Sequence, residues 1–421
     1  MSSALSKAMI AFAMLATMSG QAFAEEAASG DQRGSVKDRP RPAYDSVGIR
    51  AGAFMVFPQA KVVEIYDDNI YATSVNETDD FITQLRAAVD VESKWSRHSL
   101  NFGAGVNQSL YADNTDENRF DWDLSTSGSL DVTRDTRLSA GLAYSQLHED
   151  RGEPNAVPAA VATEPTPYTV LTGNAAFDQK LNRVSFRVFG SLNEYDYEDV
   201  TTLGGAVLDQ DYRDRTEYVE GLRVGYSVTP DTNVFIQGTV NQREYDLQPP
   251  AVAVTRDSEG FEGVVGSEFR LSNLAQGTVY VGYQEQSYDN AAYSDTSGLS
   301  YGGNVEWYVT PLTTITFDGA ATIEETTTAG ASGFMQQRGG VRIDHELMRN
   351  VLINGRLSYT YADYDGISRQ DDTLGAGLGV DYLMNRNFSL GFAYDITDKD
   401  SSVAGNEYTR NTFGLTLTGK L

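Results

Sequence analysis

From about residue 60 to the end, the chain alternates apolar and polar residues with a period of two, in segments of 10 to 14 residues. Between Val351 and Tyr361, one face carries Val351, Ile353, Leu357, Tyr359 and Tyr361. The other carries Leu352, Asn354, Arg356, Ser358 and Thr360. Phe388, Leu390, Phe392, Tyr394 and Ile396 oppose Ser389, Gly391, Ala393 and Asp395 in the same way, and Trp122, Leu124, Leu130 and Val132 oppose Asp123, Ser125, Ser127, Ser129 and Asp131. A helix would repeat at 3.6 residues, so a pattern this sustained predicts strands with one apolar face.

The connections alternate too. Short turns such as Thr310-Pro311-Leu312 and Lys180-Leu181-Asn182 are followed by longer polar loops such as 149–168 and 196–212. Eighteen segments result, the first over 58–66 and the last over 408–421. If residues 49–57 supply the first strand instead, the count can fall to sixteen. An even count leaves both termini on one side, and the loop lengths match a transmembrane antiparallel β-barrel with short periplasmic turns and longer extracellular loops.

Strand length separates this reading from a soluble sandwich. Soluble strands run about 5–6 residues, whereas about 9–11 are needed to cross a bilayer at a tilt. The apolar face must also be free of charge, since Arg or Lys at the midplane costs about 2–4 kcal/mol. On this assignment Arg86, Asp123, Asp131, Arg187, Arg223, Glu262, Glu306, Asp318, Arg342, Asp344, Arg356 and Asp381 all fall on the polar face and are the candidate lumen-lining residues. Aromatic residues gather near segment ends, among them Tyr66, Tyr111, Trp122, Tyr144, Tyr226, Tyr283, Trp307, Tyr359 and Tyr382. That placement predicts interfacial girdles.

The N-terminus carries export features: Lys7, an apolar run Ala8–Met18, and Ala22-Phe23-Ala24 as a small-x-small cleavage site. The run is too short to span a membrane as a helix. The expected division is a signal peptide over 1–24, a polar periplasmic segment over 25–57 and the barrel over 58–421. With 59 acids against 32 bases the net charge is −27, which argues against nucleic-acid binding.

Little in the chain points to catalysis, a metal or a cofactor. There is no cysteine. The three histidines, His98, His148 and His345, fall in different parts of the barrel pattern, so neither a zinc site nor a triad is expected. Asp67, Asp68 and Asn69 could ligate calcium, but they lack the glycine and distal glutamate of a calcium loop, and an Asx turn is the preferred reading. The carboxylates Asp371, Asp372, Asp398 and Asp400 could meet divalent cations that bridge lipopolysaccharide. Glu149-Asp150-Arg151 reads as a loop folded by ion pairs. The Pro-rich stretch Glu153 to Pro167 reads by default as an exposed loop, with an inward constriction loop as the alternative.

Several stretches carry a family resemblance: Arg33–Phe54 (RGSVKDRPRPAYDSVGIRAGAF), Tyr66–Thr73 (YDDNIYAT), Asp79–Phe81, Lys94–Leu100 (KWSRHSL) and Leu147–Gly152 (LHEDRG). In these the chain resembles the putative beta-barrel porin-2 family of Gram-negative outer-membrane proteins, common in alphaproteobacteria. The resemblance implies a porin-like barrel in the outer membrane and supplies no functional residues. The expected role is a channel for small hydrophilic solutes. The alternatives are a conduit for exopolysaccharide working with export components, and a plugged structural or adhesive barrel acting through its loops. Expected partners are outer-membrane lipid, lipopolysaccharide and the barrel-assembly machinery; the oligomeric state is open.

Overall fold

The computed structural model describes residues 34–248, 254–271 and 274–421. The export signal lies outside the described residues. Eighteen long strands form one closed antiparallel barrel. In chain order they are β1 Phe54–Asp67, β2 Asp80–Ser93, β3 Ser99–Tyr111, β4 Arg119–Thr133, β5 Thr136–His148 and β6 Pro167–Leu181. Next come β7 Val184–Tyr197, β8 Arg215–Thr229, β9 Thr232–Tyr245, β10 Ser258–Leu271, β11 Ala275–Tyr288 and β12 Thr296–Thr310. The last six are β13 Thr313–Glu325, β14 Gly333–Met348, β15 Val351–Tyr364, β16 Gln370–Leu383, β17 Phe388–Ser401 and β18 Tyr408–Lys420. Each strand pairs with its sequence neighbours, and β1 pairs with β18 from Gln59↔Lys420 to Asp67↔Thr412, which closes the wall.

β1 begins at Phe54, four residues before the expected start, and a short strand Ile49–Ala51 folds back on its first three residues. Residues 49–51 therefore extend a hairpin at the mouth and do not replace a wall strand. One end of the barrel has short turns, such as 134–135 and 230–231. The turn 182–183 is made by Asn182 at φ 56°, a left-handed conformation that Asn tolerates. The other end carries the loops, here L1 (68–79), L2 (112–118), L3 (149–166), L4 (198–214), L5 (246–257), L6 (289–295), L7 (326–332), L8 (365–369) and L9 (402–407).

The alternation sorts the two faces of the wall. Leu85, Leu124, Leu142, Val188, Leu222, Val265, Phe317, Leu357, Leu378 and Leu415 point outward and are exposed, since nothing in the chain covers them. A water-facing monomer rarely leaves so much contiguous apolar area bare; a lipid-facing wall must. Aromatic residues ring this outer face near both ends: Trp122 packs on Tyr144 and Phe261 on Tyr283 toward the loops, while Phe54 meets Trp95 toward the turns. Tyr111 departs from the girdle expected of it. It points inward and is buried with Val63, Ile65, Ile70 and Ile82, because L1 folds down over that part of the inner wall.

The inner face carries many glycines, and they make room for side chains that lie flat on the wall. A Cβ on Gly340 would stand 2.8 Å from Asp318 Oδ1, and one on Gly379 would stand 2.7 Å from Asn354 Nδ2. The division of faces makes a measurable prediction. Leu142→Arg, mid-strand and outward at 52% exposure, should destabilise the barrel by about 2–4 kcal/mol. Ser127→Arg, on the lumen face one strand away, should cost much less. Urea unfolding followed by tryptophan fluorescence reads the difference, and equal losses would contradict the assignment of faces.

Candidate functional site: the lumen and its outer mouth

All twelve charged residues expected to line the lumen lie on the inner face, each flanked along its strand by an outward apolar neighbour. Arg86 follows Leu85, Asp123 precedes Leu124, Asp131 lies between Leu130 and Val132, and Arg187 precedes Val188. Arg223 follows Leu222, Glu262 follows Phe261, Glu306 precedes Trp307 and Asp318 follows Phe317. Arg342 and Asp344 flank Ile343, Arg356 precedes Leu357, and Asp381 lies between Val380 and Tyr382.

The ladder register then sets which charges meet. Arg187 stands directly opposite Arg223, and Arg342 directly opposite Arg356. Like charges opposite one another destabilise a sheet, and each arginine here has a carboxylate from elsewhere on the inner wall. Arg187 pairs with Asp178 at 3.7 Å, Arg223 with Glu268 at 2.6 Å, Arg342 with Asp344 at 2.8 Å, and Arg356 with Asp395. The Arg356–Asp395 pair spans β16 and passes over Gly377, where a Cβ would collide with both side chains. Arg86 donates to Asn107, Asp131 pairs with Arg137, and Glu306 accepts from Gln276 and Tyr308. Part of the lumen charge is thus held in local pairs, lying along the wall.

The outer mouth is crossed by L3. The Pro-rich loop takes the inward course and not the exposed one. Its Asn155 reaches the loop end of β13 and L7, donating to the Glu325 carbonyl at 2.9 Å and accepting from the Thr327 N–H at 3.0 Å. Near its start, Glu149 pairs with Arg213 of L4, Asp150 with Arg119, and Arg151 with Glu117 of L2 at 2.6 Å. These side chains are buried, and the expected folding of Glu149-Asp150-Arg151 by ion pairs takes the form of pairs to three neighbouring segments. Further along, Ala162 bridges to Thr202 and the Leu203 N–H donates to the Val161 carbonyl, tying L3 to L4. At Gly152, with φ 87°, the loop passes so close to Ala72 and Tyr408 that a side chain would not fit.

The other acidic candidates resolve into structural roles. Asp67 forms a salt bridge with Arg410 and accepts the Asn69 N–H at 3.0 Å, which is an Asx turn. Asp68 holds Asn411 through its N–H and its side-chain amide. The YDDN segment therefore clasps L1 to β18 where the barrel closes. Asp371 is buried in the lumen with Arg369 and Lys399, apart from Asp372, which bonds Tyr359, and from Asp398, which accepts from Thr409. In L4, Asp199, Asp209 and Asp211, which no motif singles out, bring their oxygens within 4.8 Å of one another at the surface. Nearby, burial pushes the Asp214 carboxyl up to about 6; the Tyr197 N–H opposes this, and Asp196, Asp211 and Asp246 add to it. His148 bonds Asp121 in the wall, His98 accepts from the Asp131 N–H, and His345 meets Thr313.

At the turn end the N-terminal segment enters the mouth. Val36 is buried and donates its N–H to Thr314 Oγ1 at 3.0 Å, while Arg39 and Arg41 both pair with Glu346.

A closed strand ladder, an apolar outer belt with aromatic ends and a charged interior define an outer-membrane β-barrel of the porin type. Residues 41–421 match the family model described as Putative beta-barrel porin 2, and the chain belongs to that family. None of the curated proteins is significantly similar to it. Among solved structures it is similar to OccK9 (OpdG) of Pseudomonas aeruginosa, at 11% identity and a TM-score of 0.47, over 87% of this chain and 98% of that one. It is likewise similar to a BenF-like porin from Pseudomonas fluorescens, at 9% identity and a TM-score of 0.45, over 87% and 99%.

The buried pairs that hold L3 set up a direct test. Arg151→Ala would leave Glu117 charged and enclosed, a change that costs about 3–5 kcal/mol at such sites. Limited proteolysis should then cut within 153–164 while the barrel stays intact. A strap as resistant as the parent's would show that Arg151 does not hold it.

Proposed function

We propose that the chain is a channel for small hydrophilic solutes with a preference for cations. One observation carries this reading: polar and charged side chains line most of the inner face, and acids slightly outnumber bases on it. Of the twelve lumen residues anticipated from the pattern, seven are acids and five are arginines. Asp90, Glu268 and Asp395 lie on the same inner face, and so do Lys61, Arg137, Arg243 and Lys399, so the excess of acids is modest. Charged walls in a low-dielectric surround concentrate counter-ions and exclude ions of like sign. An interior built from eighteen strands is wide enough for water and solutes, and L3 narrows it at the outer mouth. A polymer conduit would need that strap displaced, so passage of small solutes is the better supported role. The loop end would face the cell exterior, with lipopolysaccharide around it, and the N-terminal segment would sit on the periplasmic side.

Purified protein in a planar bilayer should give discrete current steps and, under a salt gradient, a reversal potential of the sign expected for cations. Asp123→Asn combined with Asp381→Asn should move that potential toward zero. A folded barrel that stays silent, or one that prefers anions, would overturn the proposal.

A further inference from the structure

The barrel ladder fails at one seam. From the turn end β12 and β13 pair in register as far as Gly302↔Ala320. Beyond that point β12 runs six more residues, to Thr296, and β13 five more, to Glu325, without pairing to each other. The seams on either side continue to the loop end, to Gln286↔Thr296 and Glu325↔Gly333. The loop end of β13 has therefore left the wall and taken β14 with it.

Its partners show where it has gone. Gln284, on the lumen face of β11, donates to the Ala321 carbonyl at 3.0 Å. Arg243, on the lumen face of β9, donates to the Ile323 carbonyl at 2.9 Å and pairs with Glu325, which also accepts the Tyr245 hydroxyl at 2.6 Å. Side chains that point into the barrel can reach these atoms only if the end of β13 lies inside it. There it meets L3, through the two bonds of Asn155.

The folded-in piece nevertheless has the pattern of a wall strand. Extending the register past Gly302↔Ala320 would set Leu299 opposite Ile323 on the lipid side and Ser300 opposite Thr322 on the lumen side. As far as Glu324, apolar residues would then face outward and polar ones inward, as elsewhere in the barrel, and Glu325 would face outward at the rim. Leu299 already faces out at 67% exposure, paired with Tyr283 on β11 and with no ladder partner on β13. In the position seen here, side-chain donors stand in for ladder bonds along β13. In the extended ladder the two free backbone edges would satisfy each other, so the number of hydrogen bonds is similar in both arrangements. Two alternative packings, each with its own hydrogen-bond partners, are what a switching element requires.

We propose that the loop end of β13, together with L7, is a gate with two positions. Folded in, it meets L3 and narrows the outer mouth. Zipped onto β12, it restores the wall, withdraws L7 from L3 and widens the path. The gate rests on the channel reading, and the test separates the two. Cysteines replacing Ser300 and Thr322 become cross-strand neighbours only in the zipped position, at a spacing of about 4.5–5.5 Å that suits a disulfide. In a folded barrel, checked by its heat-modifiable gel migration, oxidation should form the bond, seen by mass spectrometry. The current steps should grow several-fold and fall again on reduction. Asn155→Ala with Gln284→Ala, which removes inward contacts without new thiols, should raise the open fraction by itself.

A conducting barrel whose thiols stay reduced under oxidant, with or without the Asn155→Ala and Gln284→Ala changes, would overturn the gate. So would one whose current ignores the bond. A barrel that cross-links but never conducts would count against the channel reading while upholding the movement of the seam.

Discussion

Hydrocarbon offers the backbone no hydrogen-bond partner, and every other feature of this fold answers that constraint. Each unpaired N–H or C=O in lipid costs several kcal/mol, so a spanning sheet must close on itself. Here strands of 13 to 16 residues are joined edge to edge and sealed by the pairing of β1 with β18. The seam at β12 and β13 shows how strict the requirement is. Where the ladder stops, Gln284 and Arg243 supply donors to the carbonyls of Ala321 and Ile323. Irregular backbone at membrane depth is tolerated only inside protein or along a wet cavity, and the inward fold of β13 places it there.

With the hydrophilic side hidden, charge must be accommodated within the lumen. The opposed pairs Arg187/Arg223 and Arg342/Arg356 would repel if left alone. Their carboxylate partners come from further along the inner wall, and glycines at places such as Gly377 let the paired side chains lie over the sheet. A larger residue there would push the Arg356–Asp395 pair off the wall and into the channel. Inner glycine therefore keeps paired side chains close to the wall.

The strands and their count were legible in the sequence because both depend on local alternation. Leu124 beside Asp123, or Leu357 beside Arg356, declares its face without knowledge of any partner. The mouth was not legible to the same degree. Tyr111 sits near a strand end like the girdle aromatics, yet it takes the inward place after outward Leu110, where Ile70 of L1 comes down to bury it. Glu149, Asp150 and Arg151 promised ion pairs, but their partners Arg213, Arg119 and Glu117 lie in other segments, and nothing local names them. The break after Ala320 left no trace either, since residues 321–324 keep the alternation of a wall strand while occupying the lumen.

The two ways of holding loops at the mouth also differ in kind. L1 is fixed by an apolar cluster of Val63, Ile65, Ile70 and Ile82, which gains stability by leaving water. L3 is fixed by buried ion pairs, for which desolvation offsets most of the attraction. Such pairs specify one position sharply while adding little net stability, because losing one partner is costly but exchanging the whole set for water is not. A segment that must find a single docked position across an open mouth is well served by such pairs. That is the segment lying across the lumen, and the apolar anchor belongs to the loop that folds down against the wall.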